Sequence, residues 1–275
     1  MSEQAHITHV SVTRSGGDRS VRDAVIVEEP LEIRVDGEAL AVLMRTPGDD
    51  EALTAGFLLT EGVIEVPGDL AGLGPCTDPN RPNAGNILLA QLASGSPEVD
   101  ARIAQAQRNF YASSSCGLCG KATIESIHQR VTPYASVRDL PKAVLVMLDE
   151  QAKARQPGFT ATGGCHAAIA CSLSEPLTVL ASAEDVGRHN AVDKVVGALL
   201  LADALPQQDA VLWVSGRASF EMVQKALMAG FSALICVGAP TSLAVEMAEE
   251  SRLGLVGFAT GPDRFNVYSG RVTGE

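Results

Sequence analysis

The sequence has few cysteines, little positive charge and no long hydrophobic run, and each of these absences excludes a class of protein. Six cysteines are too few for a disulfide scaffold in 275 residues, so we expect free thiols in the reducing cytoplasm. No run of about 18 apolar residues occurs, so no segment is expected to span a membrane. Residues 1–20 contain no apolar core, and we therefore expect no signal peptide.

The charge balance is strongly acidic. Lysine and arginine total 21 against 33 aspartates and glutamates, which gives a net charge of -12. Nucleic-acid polymers and anionic membrane surfaces are bound through cationic patches, so neither is expected as a partner. With 46% hydrophobic and 20% charged residues, the chain is not disordered, collagen-like or a coiled coil. Its length predicts about two domains at roughly 150 residues each.

The first part of the chain, residues 1–110, is predicted to be a β-rich domain with one helix. Residues 21–29 and 31–46 are rich in aliphatic and β-branched residues, and Asp36-Gly37 is a hairpin signal because a tight primed turn needs positive φ. The remaining elements are a helix over 50–62 capped by Asp49 or Asp50, a proline- and glycine-rich loop over 67–85, and a strand over 86–92.

The second part, residues 111–275, alternates helices with short apolar strands. This pattern predicts an α/β domain whose parallel strands are covered by helices on both faces. The domain boundary is expected around residues 105–115. The predicted strands are 177–183, 210–216, 233–239 and 254–259, and the predicted helices are 117–130, 139–155, 189–204, 219–229 and 241–251.

Polar and glycine-rich residues follow all four predicted strands of the second part. Ligands of open α/β sheets bind beyond the carboxyl ends of the strands. Arg188, Arg217 and Arg264 would meet there, beside helices capped by Ser219 and by Thr241 or Ser242. Any one such loop is polar for structural reasons alone. Four in a row predict an anionic ligand that carries phosphates.

A CxxC motif is the sharpest chemical signal. In SSSCGLCGK, Cys116 lies at the start of a predicted helix with Lys121 nearby, and both features favour the reactive thiolate. The pair could carry sulfur as a persulfide, or bind zinc with Cys165 and His166 or with His189. Its position disfavours a thioredoxin-like redox pair. Two inert helix cysteines are the structural alternative. Cys171, Cys236 and Trp213 lie in apolar runs and are predicted to be core residues.

Several longer motifs resemble a known family, the formate dehydrogenase accessory sulfurtransferases. The motifs are SSCGLCGK, FTATGGCHAA, EDVGRHNAVDKVVG, SGRASFEMVQKA, APTSLAVEMA and GFATGPDRFNVY, in this order between residues 113 and 268, with PLEIRVDGE and GDDEALTAGFLLTEGVI before them. The resemblance implies a fold similar to the cytidine deaminases, a three-layer α/β/α domain with a smaller β-rich N-terminal domain, and a homodimer.

The resemblance also implies a function. Such proteins take sulfur from a cysteine desulfurase and transfer it to the molybdenum cofactor, bis-molybdopterin guanine dinucleotide, before its insertion into formate dehydrogenase. The persulfide would form on Cys116 with assistance from Cys119, and no tightly bound metal of the protein's own is implied. The cofactor-binding residues would be Phe258, Ala259, Thr260, Gly261, Pro262 and Asp263, together with Arg264, Arg217, Arg188 and His189.

Three questions stay open at this point. True deaminases use an H-x-E motif followed by P-C-x-x-C. Here His166-Ala167-Ala168 lacks the glutamate and Ser115 precedes Cys116, so deaminase chemistry is disfavoured. A zinc-dependent hydrolase and a cofactor-binding chaperone without sulfur transfer are the competing functions. Glu184, Asp185 and Asp193 would either bind the guanine or pterin or hold the arginines in place.

Overall fold

The computed structural model describes residues 6–15, 20–93, 102–103 and 133–274, and these contain two main β-sheets and six α-helices. In the first part of the chain a four-stranded sheet has the order β4-β3-β6-β5, and β1 and β2 form a separate antiparallel pair. The elements are β1 (Ile7–Thr13), β2 (Ser20–Ile26), β3 (Glu29–Val35), β4 (Glu38–Arg45), α1 (Asp50–Thr60), β5 (Leu70–Pro75) and β6 (Ile87–Leu92).

Local sequence signals in this part are largely confirmed. Asp36 and Gly37 have φ values of 47° and 89° and join β3 to β4 as a hairpin. Helix α1 forms as predicted, although the side chain of Asp49 makes no capping bond. The loop expected over 67–85 is wrong in its first half, because β5 forms there. Strand β5 is held by antiparallel pairing with β6, a tertiary contact that outweighs its low intrinsic strand propensity.

The second part alternates helices and strands from residue 139 onward. Its elements are β7 (Asp139–Pro141), α2 (Lys142–Ala154), α3 (Pro157–Thr162), β8 (His166–Ser172), β9 (Val179–Asp185), α4 (Arg188–Leu201), β10 (Ala210–Val214), α5 (Phe220–Met228), β11 (Ala233–Cys236), α6 (Ser242–Ser251), β12 (Gly254–Gly261), β13 (Arg264–Ser269) and β14 (Arg271–Thr273). The helix predicted over 139–155 begins only at Lys142, because the three residues before it pair with β14.

The main sheet of the second part is mixed, which corrects the prediction of a parallel sheet. Its order is β13-β12-β11-β10-β8-β9, and only the β10–β11 and β11–β12 pairs are parallel. Strand β8, which the sequence pattern missed, runs antiparallel to both neighbours. Since β9 and β10 both oppose β8, they point the same way, and the carboxyl ends of β9, β10, β11 and β12 meet at one edge.

Helices cover both faces of this sheet. Residues of α4, α5 and α6 pack on one face against Leu212 and Leu234, and α2 packs on the other against Trp213 and Ile235. Cys171 and Cys236 are fully buried and Trp213 is 5% exposed, which confirms all three as core residues. Among the helices of the described ranges, none combines the length and hydropathy that a membrane crossing requires.

A close helix crossing joins the two parts of the chain. Helix α1 packs on α4 at Gly56 and Gly197, where a Cβ on Gly197 would lie 1.8 Å from the backbone oxygen of Ala52. Only glycine permits this approach. One hydrophobic core therefore extends from the four-stranded sheet through α1 to the main sheet. The predicted domain boundary and the predicted helix 117–130 lie outside the described residues and stay predictions.

Candidate functional site

The loops that follow β10, β11 and β12 form one continuous surface at the carboxyl edge of the main sheet. The backbone N–H of Gly238 donates to Gly216 O over 2.9 Å, and that of Phe258 donates to Gly238 O over 3.1 Å. Arg217 is exposed on the first of these loops. Thr241 caps α6 by accepting a bond from Ala244 N over 3.3 Å. The prediction that these strand ends share one edge is confirmed.

Arg188, the first residue of α4, lies across this surface. A Cβ on Gly216 would come within 3.0 Å of Arg188 Cδ, so glycine allows the arginine to cross the loop closely. Its Nε is buried and has no hydrogen-bond partner among the residues that the structure describes. Buried donors are normally paired, so this one is available for an acceptor on a ligand. A guanidinium in this setting suits phosphate or carboxylate oxygens.

Two histidines flank Arg188 and favour the neutral form. Burial and the charge of Arg188 lower the pKa of His166. Burial, Arg188 and Lys225 lower the pKa of His189 to about 4. His166 Nδ1 lies 3.2 Å from Ser215 Oγ, which also accepts a bond from Ala167 N. The serine hydroxyl can thus donate to Nδ1 and leave the proton of the neutral ring on Nε2. The positive potential around these rings is the condition an anionic ligand needs.

The depressed pKa of His189 predicts a loss of stability in mild acid. The unfolded chain gains a proton on this histidine below about pH 6.5, whereas the folded chain stays neutral down to about pH 4. The folded state is therefore penalised as pH falls through that window, by about 2 kcal/mol between pH 7 and pH 5. Urea unfolding at both pH values measures this loss. We expect it to shrink by about that amount in His189→Gln and to persist in His9→Gln, which changes an exposed histidine. Equal pH dependence in both variants would contradict the assignment.

A cavity of about 480 Å³ opens beside the same edge, on the α2 side of the sheet. Its inner wall is apolar and its mouth is polar, so it suits a ligand with a ring at one end and hydrogen-bonding groups at the other. Its lining includes Leu145, Leu148, Phe159, Cys165, His166, Trp213, Ser215, Thr260 and Gly261.

Cys165 lines this cavity as a protonated thiol. Burial and the neighbouring carboxylate of Glu184 raise its pKa to about 12. Its Sγ donates to Glu184 Oε1 over 3.2 Å, and the same carboxylate accepts bonds from the backbone of Gly158 and Phe159 at 2.8 Å each. A thiol with this pKa is a poor nucleophile. The described ranges contain no cluster of three or more histidine, cysteine or acidic side chains arranged to hold a metal.

The acidic residues of the EDVGRHNAVDK motif hold lysines and backbone groups, not arginines. Asp185 Oδ2 pairs with Lys194 Nζ at 2.8 Å, and Asp193 pairs with Lys225 Nζ at 2.9 Å. Both aspartates are almost completely buried. Together with the bonds of Glu184 to the 158–159 backbone, these contacts give all three acidic residues structural partners.

The predicted cofactor segment 258–264 forms the end of β12 and its turn into β13. Phe258 has a positive φ of 53° and is 44% exposed, so its ring is available for stacking. Thr260 and Arg264 are exposed, Ala259, Gly261 and Pro262 are half-buried, and Asp263 pairs with Lys142 Nζ at 2.7 Å. The segment lies beside the cavity, to which Ala259, Thr260 and Gly261 contribute.

The structure also shows what sequence reasoning missed and what it leaves untested. The contact between His166 and Ser215 depends on β8 running beside β10, and no local signal indicated that pairing. The hydrogen bond between Cys165 and Glu184 could not be predicted for the same reason. Cys116 and Cys119 lie outside the described residues, so their roles stay predictions.

Comparison with known proteins gives a consistent result over nearly the whole chain. The sequence model of the FdhD/NarQ family matches residues 26–273. The sulfur carrier protein FdhD of Mycolicibacterium paratuberculosis is 43% identical, with 98% of this chain and 97% of that protein covered. The protein of the same name from Anaeromyxobacter dehalogenans is 44% identical, with 94% and 90% covered.

A solved structure agrees with these sequence matches. The crystal structure of a protein assigned as a formate dehydrogenase accessory protein, from Desulfotalea psychrophila, superposes with a TM-score of 0.71 at 25% identity, with 96% of each chain covered. The family resemblance carried by the sequence motifs is thereby confirmed. The chain belongs to the FdhD/NarQ family.

Proposed function

We propose that the protein carries sulfur from a cysteine desulfurase to the molybdenum cofactor of formate dehydrogenase, as a persulfide on Cys116. Relatives at 43–44% identity that are named sulfur carrier proteins support the carrier role. The observation that carries the acceptor side of the proposal is the buried, unpartnered Nε of Arg188 at the edge where four strand ends meet.

The loading step requires a reactive thiolate. The thiolate of Cys116 attacks the outer sulfur of the donor's cysteine persulfide, a new S–S bond forms on Cys116, and the donor cysteine leaves as a thiolate. Four other cysteines, Cys76, Cys165, Cys171 and Cys236, are buried. Burial raises the pKa of Cys165 and of Cys171 to about 12, so neither is a competing nucleophile. Cys119 would assist Cys116.

The acceptor would be bound through its guanine dinucleotide arms. Arg188, Arg217, Arg264 and the start of α4 supply charge-assisted hydrogen bonds to the phosphates. The apolar cavity and the ring of Phe258 offer surfaces for a planar heterocycle. The neutral imidazoles of His166 and His189 add donors without adding charge. A deaminase-like fold, a homodimer and a cytoplasmic location complete the proposal.

Complementation tests this function in the cell. In bacteria that lack their own carrier, expression of this chain should restore formate dehydrogenase activity, whereas Cys116→Ala should restore none. Cys76→Ala is the matched control, because it removes a buried cysteine that contributes nothing to the proposed chemistry. Full restoration by Cys116→Ala would favour a cofactor-binding chaperone. Stoichiometric zinc that is lost in Cys116→Ala would favour a hydrolase.

Removal of Arg217 should separate cofactor binding from sulfur loading. The side chain is exposed, so Arg217→Ala should change stability by less than about 0.5 kcal/mol. We expect it to weaken binding of guanosine diphosphate about tenfold, since a charge-assisted bond contributes about 1.5 kcal/mol or more. Persulfide loading should stay at the wild-type level. Calorimetric titration and mass spectrometry measure the two quantities, and Arg22→Ala on β2 serves as an exposed-arginine control. Unchanged nucleotide affinity would contradict this role of Arg217.

A further inference from the structure

The end of β4 is joined to the loop before α4 by a set of buried hydrogen bonds. Residues 44–46, here called the β4 anchor, lie about 140 positions away from that loop in the sequence. Thr46 N donates to Asp185 Oδ2 over 3.1 Å, and Thr46 Oγ1 accepts from Val186 N over 3.1 Å. Asn190 Nδ2 donates to Met44 O over 2.7 Å, and Lys194 Nζ donates to Thr46 O over 2.8 Å. Two separate parts of the chain are thus held together by direct contacts.

The acceptor capacity of Asp185 is fully used within this network. Its Oδ1 accepts from Gly187 N and from Asn190 Nδ2, both over 2.9 Å. Its Oδ2 accepts from Thr46 N and from Lys194 Nζ. The side chain has no exposed surface, so it is not available to a ligand. A carboxylate with four donors around it fixes the backbone of those donors in one arrangement.

The β4 anchor is itself held rigidly. Arg45 is 1% exposed, and its guanidinium makes two bonds of 2.9 Å to the carboxylate of Asp50 and one of 3.0 Å to Asn86. Bidentate pairs of this kind fix geometry as well as adding energy. The anchor is therefore a rigid reference for the loop that it contacts.

The loop so fixed, residues 185–190, carries Arg188 and His189. Val186 and Gly187, the two residues before Arg188, each donate their backbone N–H into the network. The direction in which Arg188 leaves the start of α4 thus depends on Thr46 and Asp185. Displacement of a binding side chain by about 1 Å is enough to weaken a charge-assisted contact severely.

We propose that Thr46 is a positioning residue for the anion site, which sets the orientation of Arg188 through the hydrogen bond that its hydroxyl accepts from Val186. This inference rests on the proposed function, in which Arg188 binds a phosphate of the guanine dinucleotide. The β-rich first part of the chain then contributes to cofactor binding without touching the cofactor.

A matched pair of substitutions tests the role. Thr46→Val keeps the shape of the side chain and removes the acceptor of Val186 N, whereas Thr46→Ser keeps the acceptor. Titration with guanosine diphosphate should show an affinity about five- to tenfold lower for Thr46→Val and within about twofold of wild type for Thr46→Ser. Persulfide loading should be the same in all three proteins.

Thr60→Val provides the control for general destabilisation. It makes the same change at a buried threonine that bonds Asp193 and Lys225 but does not contact the 185–190 loop. It should retain wild-type nucleotide affinity. Equal binding by wild type and Thr46→Val, or an equal loss in Thr60→Val, would overturn the positioning role alone. Absence of nucleotide binding by the wild-type protein would instead contradict the proposed function, and the positioning role with it.

Discussion

Replacement of Gly197 by alanine is expected to destabilise the protein by about 3 kcal/mol or more. The added Cβ would lie 1.8 Å from Ala52 O and 2.6 Å from Gly56 N. Both neighbours are backbone atoms of α1, so no side chain can rotate away and the two helices must separate. Alanine is a better helix former than glycine by about 1 kcal/mol, and this gain offsets only part of the loss.

Urea unfolding of Gly197→Ala and Gly74→Ala measures the effect. Gly74 lies in β5 with no atom within 4 Å of an added Cβ, so its substitution by alanine should be close to neutral. Because α1 and α4 belong to one core, we expect a single cooperative transition at a lower urea midpoint in Gly197→Ala. A midpoint equal to that of Gly74→Ala would show that the two helices do not cross at this contact.

Replacement of Lys225 by methionine is expected to cost about 3–5 kcal/mol. Lys225 is 4% exposed, and its Nζ donates to both oxygens of Asp193 at 2.9 Å and to Thr60 Oγ1 at 2.8 Å. Methionine preserves most of the volume but leaves the carboxylate of Asp193, which is 1% exposed, without its counter-ion. An unpaired buried charge is among the most destabilising changes that one substitution can make.

A second substitution identifies the cause of that loss. In the Lys225→Met background, Asp193→Asn removes the uncompensated charge, so it should recover at least half of the lost free energy of unfolding. Lys153→Met is the exposed control: Lys153 pairs with Asp149 on the surface of α2 at 2.7 Å, and its loss should cost less than about 0.5 kcal/mol. A loss for Lys225→Met as small as that control would contradict a buried ion pair at this position.

Features decided by neighbouring residues could be predicted from the sequence. The Asp36-Gly37 turn needs positive φ at adjacent positions, and this requirement is local. The meeting of the strand ends that lead to Arg188 and Arg217 was also predictable, because it depends mainly on the repeated order of strand and helix. The insertion of β8 between β9 and β10 depends on long-range pairing, which an apolar run of seven residues does not encode.

The role of Asp185 shows the same limit within the site. Its position in EDVGRHNAVDK suggested a contact with the ligand or with an arginine. Its actual partners include Thr46, which lies 139 residues earlier and comes close only when β4 packs beside the loop. A buried carboxylate and a ligand-binding carboxylate are chemically identical in sequence, and only burial and hydrogen-bond partners separate them.

Sulfur carriage itself is tested most directly by the mass of the intact protein after incubation with a cysteine desulfurase and cysteine. The account predicts a gain of about 32 Da per transferred sulfur, reversed by a thiol reductant, present in wild type and in Cys76→Ala, and absent in Cys116→Ala. No gain in the wild-type protein, or an undiminished gain in Cys116→Ala, would contradict it.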